Sequence, residues 1–201
     1  MFENNLDHGK IDILKELANI GMGNSTTALS AMLGEQKVAM DVPEVSLVAL
    51  QDVPELLGGA DIPVIGTYFE SRGELRLVLF FVMSQPSADK VVNFLLPKET
   101  KVDTELYNSV LMEAGNIMIG AYLNALSQLT NSTLLSTPPK MAADMAGAVL
   151  GTIAAEAMIV DDQLILLKTN IKVSELEVEG SILIVPCSGS LEKMFSLLGV
   201  R

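Results

Sequence analysis

The chain has 201 residues, of which 49% are hydrophobic, and carries a formal net charge of −12 at pH 7. That composition supplies a sizeable core and excludes a disordered chain. The acidic balance excludes nucleic acid as a partner, because phosphate neutralisation needs clusters of Lys and Arg, and it disfavours an anionic membrane.

Residues 1–9 read as a lead-in, with Asp7 a candidate N-cap. Residues 10–33 predict a long helix, ended by Gly34 in the favoured C-terminal position. Residues 38–41 predict a short strand closed by Pro43, and residues 44–50 a second. Asp52 is a candidate N-cap for a short helix with Pro54 early in it and Gly58-Gly59 at its end. Residues 64–70 and 74–83 predict a hairpin around a turn at 71–73. Ser84 caps a helix over 88–96, stopped by Pro97, and residues 98–102 form a charged linker.

The remainder follows the same plan. Asp103 caps a helix running to residue 129. Residues 133–136 predict a short strand before Pro138-Pro139. Residues 142–157, rich in Ala and Met, predict a helix despite Gly147 and Gly151. Residues 163–173 predict a strand, Glu179-Gly180 a turn, residues 181–186 a strand and residues 190–198 the closing helix. The expectation is one domain over 1–201, built from repeat halves at about 10–97 and 103–199. Its fold class is α+β: the strands of both halves in one continuous antiparallel sheet, with two long helices packed on it in a pseudo-twofold arrangement.

The repeat is legible residue by residue. Residues 12–33 read DILKELANIGMGNSTTALSAML and residues 109–130 read SVLMEAGNIMIGAYLNALSQLT. Leu14, Glu16, Asn19, Ile20, Gly23, Ala28, Leu29 and Ser30 meet Leu111, Glu113, Asn116, Ile117, Gly120, Ala125, Leu126 and Ser127. The polar identities form one pattern, Asp/Ser-x3-Glu-x2-Asn-x3-Gly. Offsets of 0, 4, 7 and 11 place four residues on one face of an α-helix. Asp12, Glu16, Asn19 and Gly23 thus make one stripe, and Ser109, Glu113, Asn116 and Gly120 the other. The apolar residues Ile13, Leu14, Leu17, Ile20 and Met22, with Val110, Leu111, Ile117, Met118 and Leu126, lie on different faces. Glu16 alone would read as an ordinary solvated helix residue. Asn and Gly are poor helix-interior residues, Gly by about 1 kcal/mol relative to Ala, so a helix keeping both, twice, accepts a local cost for a reason. One such reason is the close approach of another backbone at Gly23 or Gly120.

Conventional catalytic sets are missing. The lone His8 falls in the predicted lead-in, and there is no HExxH, no CxxC and no phosphate-binding loop. Cys187 reads as a buried structural thiol and Asp161-Asp162 as a solvated turn. A single cysteine cannot form an internal disulfide and fits a reducing, cytoplasmic setting. Mean hydropathy is +0.41, yet no apolar run reaches membrane-spanning length and no secretory signal pattern opens the chain, so no membrane insertion is expected.

The two stripes resemble the paired active-site helices of the CheC-type chemotaxis phosphatases (the CheC/CheX/FliY family), whose signature is the same Asp/Ser-x3-Glu-x2-Asn-x3-Gly. Two copies in a chain of this length resemble the two-motif, CheC-like members; nothing after Leu198 leaves room for the flagellar-switch domain of FliY-type members. The resemblance implies a bacterial phosphatase of the phosphorylated response regulator CheY. In that role Asn19 and Asn116 orient a water towards the aspartyl phosphate, and Glu16 and Glu113 pair with a regulator Lys. Asp12, Gly23, Ser109 and Gly120 support the motif. It implies no cofactor in this chain, with Mg²⁺ held by the regulator. It also implies a second partner, the receptor deamidase CheD, contacted near Asp144 and Met145. A regulatory module that chiefly controls CheD is therefore the alternative reading.

Overall fold

The most apolar stretches of the chain build the middle of one sheet. The computed structural model describes residues 8–32, 35, 37–97, 99–157, 163–173 and 176–199. Along the chain these form α1 (His8–Met32), β1 (Val38–Ala49), a 3₁₀ turn (Leu50–Asp52), α2 (Val53–Leu56), β2 (Pro63–Gly73), β3 (Leu77–Ser84) and α3 (Gln85–Leu95). Then come α4 (Thr104–Thr130), β4 (Leu134–Ser136), β5 (Lys140–Met145), α5 (Ala146–Ala157), β6 (Gln163–Val173), β7 (Leu176–Pro186) and α6 (Ser190–Leu197). The fold is α+β, with all strand pairings antiparallel and α1 and α4 packed together over the sheet.

The strand order is β1-β6-β7-β3-β2-β4, with β5 beside β2 on the same edge as β4. β1 pairs with β6 of the second segment, and β5 pairs with β2 of the first. Each segment therefore lends its leading strand to the other, and the order reads alike from both edges. β3 and β7 meet at the centre, where Leu77 faces Pro186 and Phe81 faces Ile182.

β3 is buried on both faces, which is why its sequence is a continuous apolar run and does not alternate. Leu77, Leu79, Phe81 and Met83 meet Leu14 and Leu17 of α1, Leu111 and Met118 of α4, and the apolar sides of α3 and α6. Val78, Phe80 and Val82 meet Ala146, Val149, Leu150 and Ile153 of α5 on the other face. The sheet is thus covered twice, and α1 and α4 form the outer layer of one side.

Local capping follows the sequence. The Asp103 carboxylate accepts from the Leu106 N–H at 2.9 Å and starts α4. Asn131 closes it in the left-handed conformation at φ 49°, with the Ser132 N–H donating to the Ser127 carbonyl at 3.1 Å. The Ser84 hydroxyl accepts from the Ser87 N–H at 3.3 Å and starts α3. Gly58 and Gly59, at φ +108° and +130°, follow α2, although the Asp52 side chain makes no capping bond.

Several expectations are corrected. Residues 38–41 and 44–50 do not form two strands: β1 continues through Pro43, and a register shift between Asp41 and Glu44 takes up the proline on an edge strand. The turn expected at 71–73 falls later, because Ser71, Arg72 and Gly73 still pair with β4. The Ser71 hydroxyl clamps that turn, donating to the Leu75 carbonyl at 2.8 Å and accepting from the Leu77 N–H at 2.9 Å. Gly180 is no turn: it lies inside β7 opposite Thr169, where an added Cβ would come 2.8 Å from a Phe81 ring carbon. The helix expected over 142–157 begins only at Ala146. Residues 140–145 satisfy their backbone on the free edge of β2, and the Ala146 and Gly147 N–H groups donate to the Ile62 and Ala60 carbonyls at 2.9 and 3.0 Å. His8 opens α1 and is no part of a lead-in. The readings of Asp7, Gly34 and Asp161-Asp162 lie outside the described residues.

Candidate functional site

Helical periodicity and packing place the two stripes. On α1, Leu14, Leu17, Ala18, Gly21 and Ser25 are buried, and on α4 Leu111, Ala114, Gly115, Met118 and Tyr122 are buried. The opposite sides carry the motif. Asp12, Glu16, Asn19 and Gly23 are exposed on α1; Ser109, Glu113 and Asn116 are exposed and Gly120 half-buried on α4. All eight residues sit on the outer layer of the molecule.

The Glu and Asn side chains face outward. Among the described residues, Glu16, Asn19, Glu113 and Asn116 have no side-chain hydrogen bond or ion pair. Each Glu precedes its Asn by three positions, so their Cβ atoms lie about 5–6 Å apart on the helix surface. The first motif position differs between the copies. The Ser109 hydroxyl donates to the Glu105 carbonyl of its own helix at 2.9 Å, whereas Asp12 brings a carboxylate to the surface.

The relation of the helices can be read from their contacts. A Cβ on Gly21 would lie 2.5 Å from the Tyr122 ring, and Leu29 lines a small apolar cavity with Ala114 and Met118. The order of contacts is reversed along the two helices, so α1 and α4 run antiparallel. Positions 97 apart correspond in the two copies, which centres the crossing on Gly23 and Gly120. Asn19 and Asn116 lie on opposite sides of that centre, about 12 Å apart along the axes and about 15 Å apart once the interaxial distance is added. That exceeds the reach of one phosphoryl-sized group, so a single such group cannot meet both Glu–Asn pairs.

Among the described residues, Gly23 and Gly120 do not serve close packing: a Cβ at either would meet nothing of them within 4 Å, so none of them makes the backbone approach expected there. The glycines that do admit neighbours are Gly21, against Tyr122, and Gly115, against Thr67 of β2. Neither Thr67 nor Tyr122 is singled out by the sequence pattern. Gly115 carried a visible signal, since it replaces Ala18 beside the second Asn.

Asp144 and Met145 stand elsewhere. Both are exposed where β5 passes into α5, and Met145 keeps 52% of its surface. The Asp144 carboxylate accepts from the Met145 N–H at 2.7 Å. Because α5 covers the sheet face opposite α1 and α4, these two residues are not brought together with the motif stripes. Cys187 is half-buried; burial raises its thiol pKa, with the Arg76 charge opposing the shift. Among the described residues, no three His, Cys, Asp or Glu side chains gather into a possible metal site, and no helix is long and apolar enough to cross a membrane.

The chain is similar to known proteins. The CheC-like family model matches residues 10–47 and 108–141, the stretches that contain the two motifs. A Bacillus subtilis (strain 168) protein named CheY-P phosphatase CheC is 32% identical over 203 residues, covering 98% of this chain and 97% of its own. Flagellar motor switch phosphatase FliY of the same organism is 26% identical over 86% of this chain, but only 44% of that longer protein is matched. Among solved structures, Thermotoga maritima FliY superposes with a TM-score of 0.76 at 19% identity, covering 97% of this chain and 98% of that one, which speaks for the fold alone. With one relative this similar over nearly its whole length, and a family model seated on both motif helices, the chain belongs to the CheC-like family.

Proposed function

We propose that this chain dephosphorylates a CheY-type response regulator, using its two Glu–Asn pairs as separate sites. The observation that carries the reading is the two exposed Glu–Asn pairs on α1 and α4, whose side chains have no partner among the described residues. The relative named CheY-P phosphatase CheC supports the choice of substrate.

The chemistry asks little of this chain. An aspartyl phosphate is already an activated acyl phosphate, and the regulator holds it together with its Mg²⁺. Asn19 or Asn116 enters the regulator's site and holds a water through its side-chain amide, in line with the phosphorus. The water oxygen forms the new P–O bond, the bond to the aspartyl oxygen breaks, the regulator's carboxylate leaves, and the water's protons end on inorganic phosphate and solvent. Glu16 or Glu113 pairs with the regulator's Lys and fixes the docking position. Positioning of this kind is most of what phosphoryl transfer requires. The net charge of −12 favours a partner that presents a basic group.

The test is the decay of radiolabelled phospho-CheY in Mg²⁺ with and without this protein. Acceleration that survives either single change, Asn19→Ala or Asn116→Ala, and disappears in the double variant supports two working sites. A double variant that hydrolyses at the parent rate sinks the mechanism.

A second reading is favoured by one observation, the exposed Met145 beside Asp144 on the far side of the sheet from the motif. There the chain would bind the deamidase CheD and act chiefly as its regulator. Asp144→Lys should then weaken CheD binding in a titration; unchanged binding counts against this surface.

A further inference from the structure

We infer that Thr67 and Gly115 form a seat that sets the position of Asn116 and has no part in positioning Asn19, so the two sites are mechanically unequal. The inference rests on the functional reading above and adds positioning residues to it.

Ile65, Thr67 and Phe69 alternate onto the helix-facing side of β2, and Thr67 is the polar member of that row. It is 1% exposed, and among the described residues its hydroxyl has no hydrogen-bond partner. Buried hydroxyls without partners are uncommon and call for an explanation. This one lies directly against Gly115 of α4. An added Cβ there would clash with the Thr67 hydroxyl oxygen and come within 2.7 Å of its Cβ and 3.1 Å of its methyl carbon. Turning the threonine about χ1 moves the oxygen and the methyl but not the Cβ. Any residue larger than glycine therefore lifts α4 off β2 at the turn that carries Asn116. The oxygen is also smaller than a methyl group, so a valine in its place would push on the helix from below.

The first copy is built differently. Ala18 occupies the position of Gly115, is 1% exposed, and keeps a methyl group between α1 and what lies beneath it. Asn19 and Asn116 each follow these residues directly. A water held by an Asn amide must lie in line with the phosphorus, and a displacement of about 1 Å at such a group costs about a hundredfold in rate. The seat should thus act on turnover more than on docking, which Glu113, on the turn before it, would set.

The repeat provides an internal control that most packing variants lack. In an Asn19→Ala background only the second site works; in an Asn116→Ala background only the first does. In the former, Gly115→Ala and Thr67→Val should each lower kcat for phospho-CheY hydrolysis by about ten- to a hundredfold with KM within twofold. Thr67→Ser, which keeps the hydroxyl, should stay within twofold of its parent. In the latter background all three should leave kcat within twofold. Equal losses in both backgrounds would mean general loosening and overturn the inference, as would no loss in either. A readout independent of activity separates this from failure of the functional reading. In ¹H–¹⁵N spectra of the otherwise unchanged chain, Gly115→Ala and Thr67→Val should shift the Asn116 side-chain amide and leave that of Asn19 in place. If both amides move alike, or neither does, there is no seat; if only Asn116 moves but the parent never accelerates phospho-CheY decay, the seat stands and the phosphatase reading falls.

Discussion

Replacing Gly23 and Gly120 together by alanine separates what the motif glycines do for this fold from what they do for a partner. Both lie in long helices, and among the described residues a Cβ at either meets nothing within 4 Å. Each change therefore costs no packing and gains about 0.8–1 kcal/mol of helix propensity. The pair should stabilise the chain by about 2 kcal/mol. At about 2–4 °C per kcal/mol for a chain of this length, the thermal midpoint should rise by about 4–8 °C. On the proposed function, the face that docks the regulator gains two methyl groups. Overpacking of that kind costs about 1–3 kcal/mol, so KM for the phosphorylated regulator should rise by about five- to 150-fold. Circular dichroism melts and a KM measurement on the same preparation read both effects. A midpoint that falls would refute the claim that these positions are free. A higher midpoint with unchanged KM would refute the claim that the glycines serve docking.

Other changes probe the scaffold. Gly21→Ala, two positions before Gly23, should act in the opposite direction: its Cβ meets the Tyr122 ring at 2.5 Å, and overpacking outweighs the propensity gain by about 1–2 kcal/mol, seen as a lower melting midpoint. Asn131→Val should cost about 1–2 kcal/mol in denaturant unfolding, because Asn131 ends α4 at φ 49° where a β-branched residue is strained, while Asn131→Gly should be neutral or slightly stabilising. Alkaline unfolding should report Tyr107. Its phenol pKa is pushed up to about 12 from 10.0, first by burial, then by its hydrogen bond to Asp89 at 2.7 Å and the charge of that carboxylate, with Gln85 opposing. Below about pH 10 the phenol is neutral in both states; above it the unfolded chain ionises first, so stability falls between about pH 10 and 12. In Tyr107→Phe that stretch of the stability–pH curve should be flatter, and an unchanged slope would contradict the assignment.

The motif was legible because it is local. Residues at offsets of 4, 7 and 11 share a helix face whatever the rest of the chain does, and the copy in α4 doubled the signal. The caps at Ser84 and Asp103 were legible for the same reason, since their bonds reach only three residues along the chain. Residues 142–145 were not. Ala and Met suit a helix or a strand there, and the free edge of β2 decides the matter by offering backbone partners. Gly180 read as a turn residue because glycine permits one, whereas the ring of Phe81, far away in sequence, explains the missing side chain.

What the sequence determined by itself is the pair of long amphipathic helices, the outward Glu–Asn stripes on them, and an α+β chain with a repeated plan. These follow from periodicity, and periodicity is a property of neighbouring residues. The tertiary structure alone decided that β1 and β5 change places between the segments, that α1 and α4 run antiparallel, and that Thr67 sits beneath Gly115. Each of these joins residues distant along the chain, and the free energy that selects them comes from burying both faces of one sheet, which no local pattern encodes.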